Sequence, residues 1–218
     1  MKKGTFFIFV LCATFFALAA FQVTFALFSK TATSTNNTFT ASANFPTATP
    51  TPPVFHVVIN EVFHNGGNTG SNWKDQWIEI YNQSSSPINV SGWTISNASG
   101  SNIIPSVTPI PANGFGVIRG DLTTNGFPSI PGSAITITLS SNKIGSNGLE
   151  SAGDFVKLLN GTTVVDQMSY GTNTTVFPTP PAAPSSTTSV SRRPNGVDTD
   201  TAADWTTNTT TSIGVSNP

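Results

Sequence analysis

Three apolar pulses between residues 57 and 95, set in otherwise polar and turn-rich sequence, restrict this chain to β architecture. They read Val57-Val58-Ile59-Asn60-Glu61-Val62, Trp77-Ile78-Glu79-Ile80-Tyr81-Asn82 and Ile88-Asn89-Val90-Ser91-Gly92-Trp93-Thr94-Ile95. In the second pulse Ile78 and Ile80 face one way while Trp77, Glu79 and Tyr81 face the other, the two-residue period of a strand. The same reading places strands at 55–63, 76–81, 93–96, 114–119, 135–139, 155–159 and 163–170. Asn160 and Gly161 separate the last two, and Asn-Gly adopts the positive φ angles of a tight hairpin. Many short strands punctuated by Gly, Pro and Asn fit a sandwich better than a barrel. No amphipathic helix pattern and no fixed-period repeat stands out.

Composition narrows the function. A chain of 218 residues has room for one substantial domain. Charged residues make up only 9% and the net charge is -1, which gives no general attraction to nucleic acid or anionic lipid. No nucleic-acid partner is therefore expected. The single cysteine, Cys12, lies in the apolar N-terminus behind Leu11, where a lipoprotein signal needs a small residue. The remainder has neither disulfides nor thiolate metal sites to stabilise it.

The order and identity of the pulses carry a resemblance. An Ile-Asn-Glu-Val strand, a Trp-Ile-Glu-Ile-Tyr-Asn strand and an Ile-Asn-Val-Ser-Gly-Trp turn resemble the opening of the lamin-tail domain family. The resemblance continues in Gly153-Asp154-Phe155-Val156-Lys157-Leu158, in Val164-Val165-Asp166 and in Ser191-Arg192-Arg193-Pro194-Asn195-Gly196-Val197-Asp198, and is weakest over 97–147. It implies an all-β, immunoglobulin-like β-sandwich over 54–218. It also implies a mainly structural role for Asn60, Glu61 and Glu79, whose side chains can satisfy buried backbone groups near strand ends.

Ahead of that domain, Lys2 and Lys3 precede an uncharged apolar run over 5–28, the pattern of an export signal. Residues 1–26 are read as a signal peptide, with Thr24 and Ala26 as the small-residue cleavage site, or as a retained membrane-spanning helix, for which the run is long enough. Residues 27–53 are read as a flexible linker, rich in Ser, Thr and Asn and then in Pro, which favours extended backbone. Its first part, 27–41, resembles the mature N-terminus of camelysin-like and biofilm-matrix fibre proteins of Gram-positive bacteria. A second Pro-rich stretch, 177–184, is expected to be a long loop before the last strands.

Residues able to carry chemistry are few. His56 and His64 are the only histidines and lack metalloprotease spacing. Separated by an even number of residues, they share a face if the strand is regular, so a site built on His56, His64 and Glu61 requires the three to converge. Gly114, Gly116 and Gly120 miss the dinucleotide-binding spacing, and a hairpin edge is expected there. Trp77, Tyr81 and Trp93 are expected to pack in the core or on a sheet face, with an exposed aromatic platform as the alternative. The densest acidic cluster is Asp198, Asp200 and Asp204. Alternating Asp with small polar residues is how oxygen-ligand loops for Ca²⁺ are built, although the central Gly and terminal Glu of an EF-hand are missing. A surface ion network with Arg192 and Arg193 is the simpler expectation.

The sequence thus leads to an exported, non-enzymatic module, secreted or displayed at the cell surface, with no cofactor and a protein or a cell-wall glycan as partner. Two alternatives remain: an accessory hydrolase with a cryptic metal site, and a matrix or fibre subunit that adds residues 27–41 as a strand to a neighbouring molecule's sheet.

Overall fold

Alternating apolar residues become two antiparallel-dominated sheets in a computed structural model, which describes residues 56–67, 72–121 and 127–218. The expectations for 1–26 and 27–53 lie outside these residues. Ten strands follow in order: β1 (Val57–Phe63), β2 (Trp77–Asn82), β3 (Thr94–Asn97), β4 (Gly100–Ile103), β5 (Phe115–Arg119), β6 (Ile135–Thr138), β7 (Phe155–Asn160), β8 (Thr163–Ser169), β9 (Val190–Arg192) and β10 (Trp205–Thr207). One sheet has the order β10-β9-β1-β2-β5-β6 and the other β4-β3-β7-β8. All pairings are antiparallel except β5 with β6.

Ile59, Ile78, Ile80, Ile118 and Ile137 from the first sheet meet Ile95, Val156, Leu158 and Met168 from the second in one buried cluster. This inter-sheet core makes the molecule an immunoglobulin-like sandwich. The six-stranded sheet also covers its outer face. There Phe63, Trp77 and Val117 pack with Ala134 and with Ile213 from the C-terminal segment.

A bulge in β1 determines which residues reach that outer face. Ile59 pairs with Ile80, yet Glu61, two residues on, pairs with Glu79, so the register shifts between them. The extra residue turns Glu61 to the side of Glu79 and Trp77, leaves Val62 opposite Ile78 in the core, and inverts every later position relative to a regular strand.

Several sequence expectations change in detail. The hairpin between β7 and β8 turns on Gly161 and Thr162, with Asn160 opposite Thr163 at the strand end. Gly161 alone has positive φ, at 60°, which fits a turn with Gly at the first central position instead of an Asn-Gly pair. The glycines at 114–120 do not form a hairpin edge: β5 lies inside its sheet between β2 and β6. A Cβ at Gly116 would sit 2.8 Å from Cδ1 of Ile110 and 3.2 Å from the Ile80 side chain, so a larger residue here would have to displace core side chains. Residues 177–184 form the expected loop, and Phe177 within it is buried in the core.

Candidate functional site

Outer-face carboxylates hold the C-terminal segment. Glu61 and Glu79 face each other across β1 and β2, both fully buried. Ser212 donates to Glu61 through its amide (3.1 Å) and its hydroxyl (2.7 Å), and the Ser189 hydroxyl donates to the same carboxylate. The Gly214 amide donates to Glu79 at 2.6 Å and Asn60 Nδ2 donates to it at 2.8 Å. Burial raises the pKa of both acids, against the pull of these donors. Glu79, which also feels the charge of Glu61, rises to about 8. The structural role expected for Asn60, Glu61 and Glu79 therefore takes the form of a clasp on residues 212–214.

A second buried polar group closes the corner between the sheets. Arg192 Nε donates to the Ile59 carbonyl at 2.8 Å and Nη2 donates to both oxygens of Asp166 at 2.9 and 3.0 Å. Asp166 in turn accepts the Ile59 amide at 2.6 Å. One ion pair thus satisfies both backbone groups of a residue that has no β9 partner, because β9 pairs with β1 only at Glu61 and Val62. Burial raises the Asp166 pKa to about 6, while Arg192 pulls it back, and the pair is ionised at neutral pH. The guanidinium also lies 4.5 Å from the Trp205 ring.

Of the three candidate metal ligands, Asp198 and Asp204 meet this arginine, and the three form no metal-holding group. Asp204 lies 3.3 Å from Arg192 Nη1 and accepts the Thr199 amide and hydroxyl, both at 2.7 Å. Burial alone would raise its pKa, but the Thr199 and Thr201 donors and Arg192 outweigh that and hold it below the usual range. Asp198 lies 3.2 Å from Arg192, and Asp200 is exposed with φ of 57°. Among the described residues no three acids or histidines are grouped to hold a metal ion. The surface ion network expected here is instead centred on a buried Arg192, 1% exposed, while Arg193 donates to Asn208.

The histidine site does not assemble, and the bulge is the reason. His56 is exposed just before β1, whereas His64 is buried and stacked on Tyr170 of the inter-sheet core, with ring centroids 5.9 Å apart. Glu61 is on the opposite, outer face. Even spacing implied a shared face only for a regular strand. His64 Nδ1 accepts the Gly66 amide at 2.9 Å, so Nε2 carries the proton and donates to the Pro184 carbonyl at 2.8 Å. Burial lowers its pKa and keeps the ring neutral.

Of the three aromatic candidates, Trp77 and Trp93 are buried, and Tyr81 borders an open cleft of about 460 Å³. The other wall is the loop after β9, including Asn195, Gly196 and Asp198. Gly196, with φ of 74°, packs against the Cδ1–Cε1 edge of Tyr81, since a Cβ there would come within 3.0 Å of those two ring atoms. Hydrogen bonds hold the loop, among them Gly196 N–H to Asn60 Oδ1 (3.1 Å), Gln83 Nε2 to the Gly196 carbonyl (2.6 Å), the Asn217 amide to Asn195 Oδ1 (2.9 Å) and Arg192 Nη1 to the Val197 carbonyl (2.7 Å). Sequence reasoning missed this cleft because its two walls are more than 110 residues apart; only the Asn195-Gly196 turn signalled it.

A family model described as the Lamin Tail Domain matches residues 50–172, more than half of the chain. The chain belongs to the lamin tail domain family. A comparison with curated proteins finds no match. The lamin-tail match spans β1 to β8 and stops before β9, β10, Arg192 and Ser212, so the clasp, the corner ion pair and the cleft all join matched and unmatched sequence. Lamin tail domains are non-catalytic immunoglobulin-like modules, and Glu61, His64, Asp166 and Asp204 here are each engaged by the groups that hold the fold.

Proposed function

We propose that this protein is an exported, non-enzymatic recognition module, secreted or held at the cell surface, whose lamin-tail sandwich binds a protein or a cell-wall glycan. The observation that carries this reading is the cleft between Tyr81 and the Asn195–Asp198 loop. It is open, and its wall is pinned by hydrogen bonds from three other segments. Rigid loops set on a sandwich are where recognition residues concentrate. Export rests on Lys2, Lys3 and the apolar run at 5–28.

The test is fractionation of cells producing the full-length chain, with intact mass of the product and binding of that product to isolated cell envelopes. An extracytoplasmic product that sediments with envelopes supports the reading; a product left in the cytoplasm refutes it. A second reading, a fibre subunit growing by strand addition, draws on β4, an edge strand whose Ile103 is 67% exposed. It requires concentration-dependent assembly that disappears when residues 27–41 are deleted.

A further inference from the structure

The chemistry of the cleft narrows the class of ligand. Four polar atoms on its walls have no protein partner among the described residues: Tyr81 Oη, Gln83 Oε1, Asn195 Nδ2 and one carboxylate oxygen of Asp198. They comprise one atom that both donates and accepts, two acceptors and one donor. Beside them is the partly exposed Tyr81 ring, with the ring of its cross-strand neighbour Phe115 tilted 38° to it at a centroid distance of 5.0 Å. An apolar ring face next to mixed donors and acceptors matches a ligand that has C–H patches and hydroxyl groups at close spacing.

Charge excludes the main competitors. Among the described residues Asp198 is the only ionisable acid or base on the cleft wall apart from the Tyr81 phenol, and Arg192, which pairs with Asp198 at 3.2 Å, is also committed to Asp166 and Asp204. A phosphate or uronate polymer would meet a carboxylate and no Lys or Arg among the residues lining the cleft. An extended apolar peptide would leave four polar atoms unsatisfied, each a desolvation penalty. The cleft volume falls within the range of small-ligand sites, about 300–1,000 Å³.

We infer that the cleft formed by Tyr81, Gln83, Asn195 and Asp198 is a subsite for a neutral carbohydrate, which stacks on Tyr81 and shares its hydroxyl hydrogens with Asp198 and Gln83. This rests on the reading of the domain as a recognition module and names the ligand class of its cleft. The tyrosine supplies contact area and the pinned loop supplies direction. Because Gly196, Asn195 and Gln83 are held before any ligand arrives, little ordering is needed on binding.

The test uses the full-length protein with an array of neutral hexose and N-acetylhexosamine oligosaccharides, a matched set of uronate oligosaccharides, and isolated envelopes with and without protease treatment. Tyr81→Ala and Gln83→Ala are compared with the parent, and thermal unfolding confirms that each variant is folded. Binding to neutral oligosaccharides, weakened at least tenfold by Tyr81→Ala and less by Gln83→Ala, is the expected result. Equal binding by parent and Tyr81→Ala, or preference for uronates, overturns the inference. Binding to untreated envelopes alone, with no glycan bound, overturns the carbohydrate assignment and leaves the recognition module standing with a protein partner. Binding to no envelope and no glycan overturns both.

Discussion

On its inner face the six-stranded sheet meets the second sheet through Ile59, Ile78, Ile80 and Ile118, whereas on its outer face the same strands present Asn60, Glu61 and Glu79 to the C-terminal segment. The inner contact is non-directional and follows apolar area, so any well-shaped set of aliphatic side chains maintains it. The outer contact depends on donors placed within hydrogen-bond distance of two facing carboxylates and is therefore specific in register and sensitive to pH. The difference teaches how acids that resemble catalytic residues in the sequence can act as structural hooks, holding a segment that has few apolar residues of its own. Residues 208–218 carry only Ile213 and Val215 as aliphatics, and Ile213 alone is buried.

The largest effect should come from the corner where the two faces meet. Arg192→Ala leaves Asp166 buried without its cation and is expected to destabilise the domain by about 3–5 kcal/mol in chemical denaturation. Replacing an ordinary buried ion pair by apolar residues of similar size restores much of such a loss. Here the double variant Asp166→Leu/Arg192→Met should remain destabilised by about 2 kcal/mol or more, because the amide and carbonyl of Ile59 lose their partners as well. A double variant as stable as the parent would show that the pair does not serve the β1 backbone.

Next in size is the pH response of the outer face. Glu79 has its pKa raised from 4.5 to about 8, so the folded state holds a proton that the unfolded state releases between those values. Its contribution is fully present below pH 4.5 and is lost as pH rises toward 8, at about 1.4 kcal/mol for each unit traversed. Glu61, also raised, acts in the same direction. Unfolding free energy measured from pH 5 to 8 should therefore fall, and Glu79→Gln should flatten the slope.

Deleting residues 212–218 should be milder, removing the buried Ile213 and the Ser212 and Gly214 donors. The expected loss is about 2–3 kcal/mol by denaturant titration, with greater solvent access to Trp77 read by fluorescence quenching. The smallest effect is expected on the far edge, where Val164 is 41% exposed on β8. Val164→Thr should change stability by no more than about 0.5 kcal/mol.

The inner face was legible in the sequence and the outer one was not, for reasons visible in particular residues. Seven strands followed from alternation because Ile78 and Ile80, or Val156 and Leu158, repeat with period two against polar neighbours. β4, β9 and β10 escaped it, being three or four residues long with at most one large apolar residue each, and β9 also pairs with β1, far away in sequence. The bulge at Asn60 and Glu61 has no Gly or Pro to mark it, so His56 and His64 read as one face although they are divided. Arg192 and Asp198 looked like surface charges because nothing local indicates that Asp166 and Trp205 bury the guanidinium.

The most direct test of the outer-face clasp is a carbon-detected titration of the Glu79 side-chain carboxyl in the folded protein, with the backbone amides of Ser212 and Gly214 followed in the same spectra. A midpoint near 8, with both amides shifting together with the carboxyl, is the result expected of a buried acid holding the C-terminal segment. A midpoint near 4.5, with those amides unmoved, would show Glu79 open to water and would contradict the account.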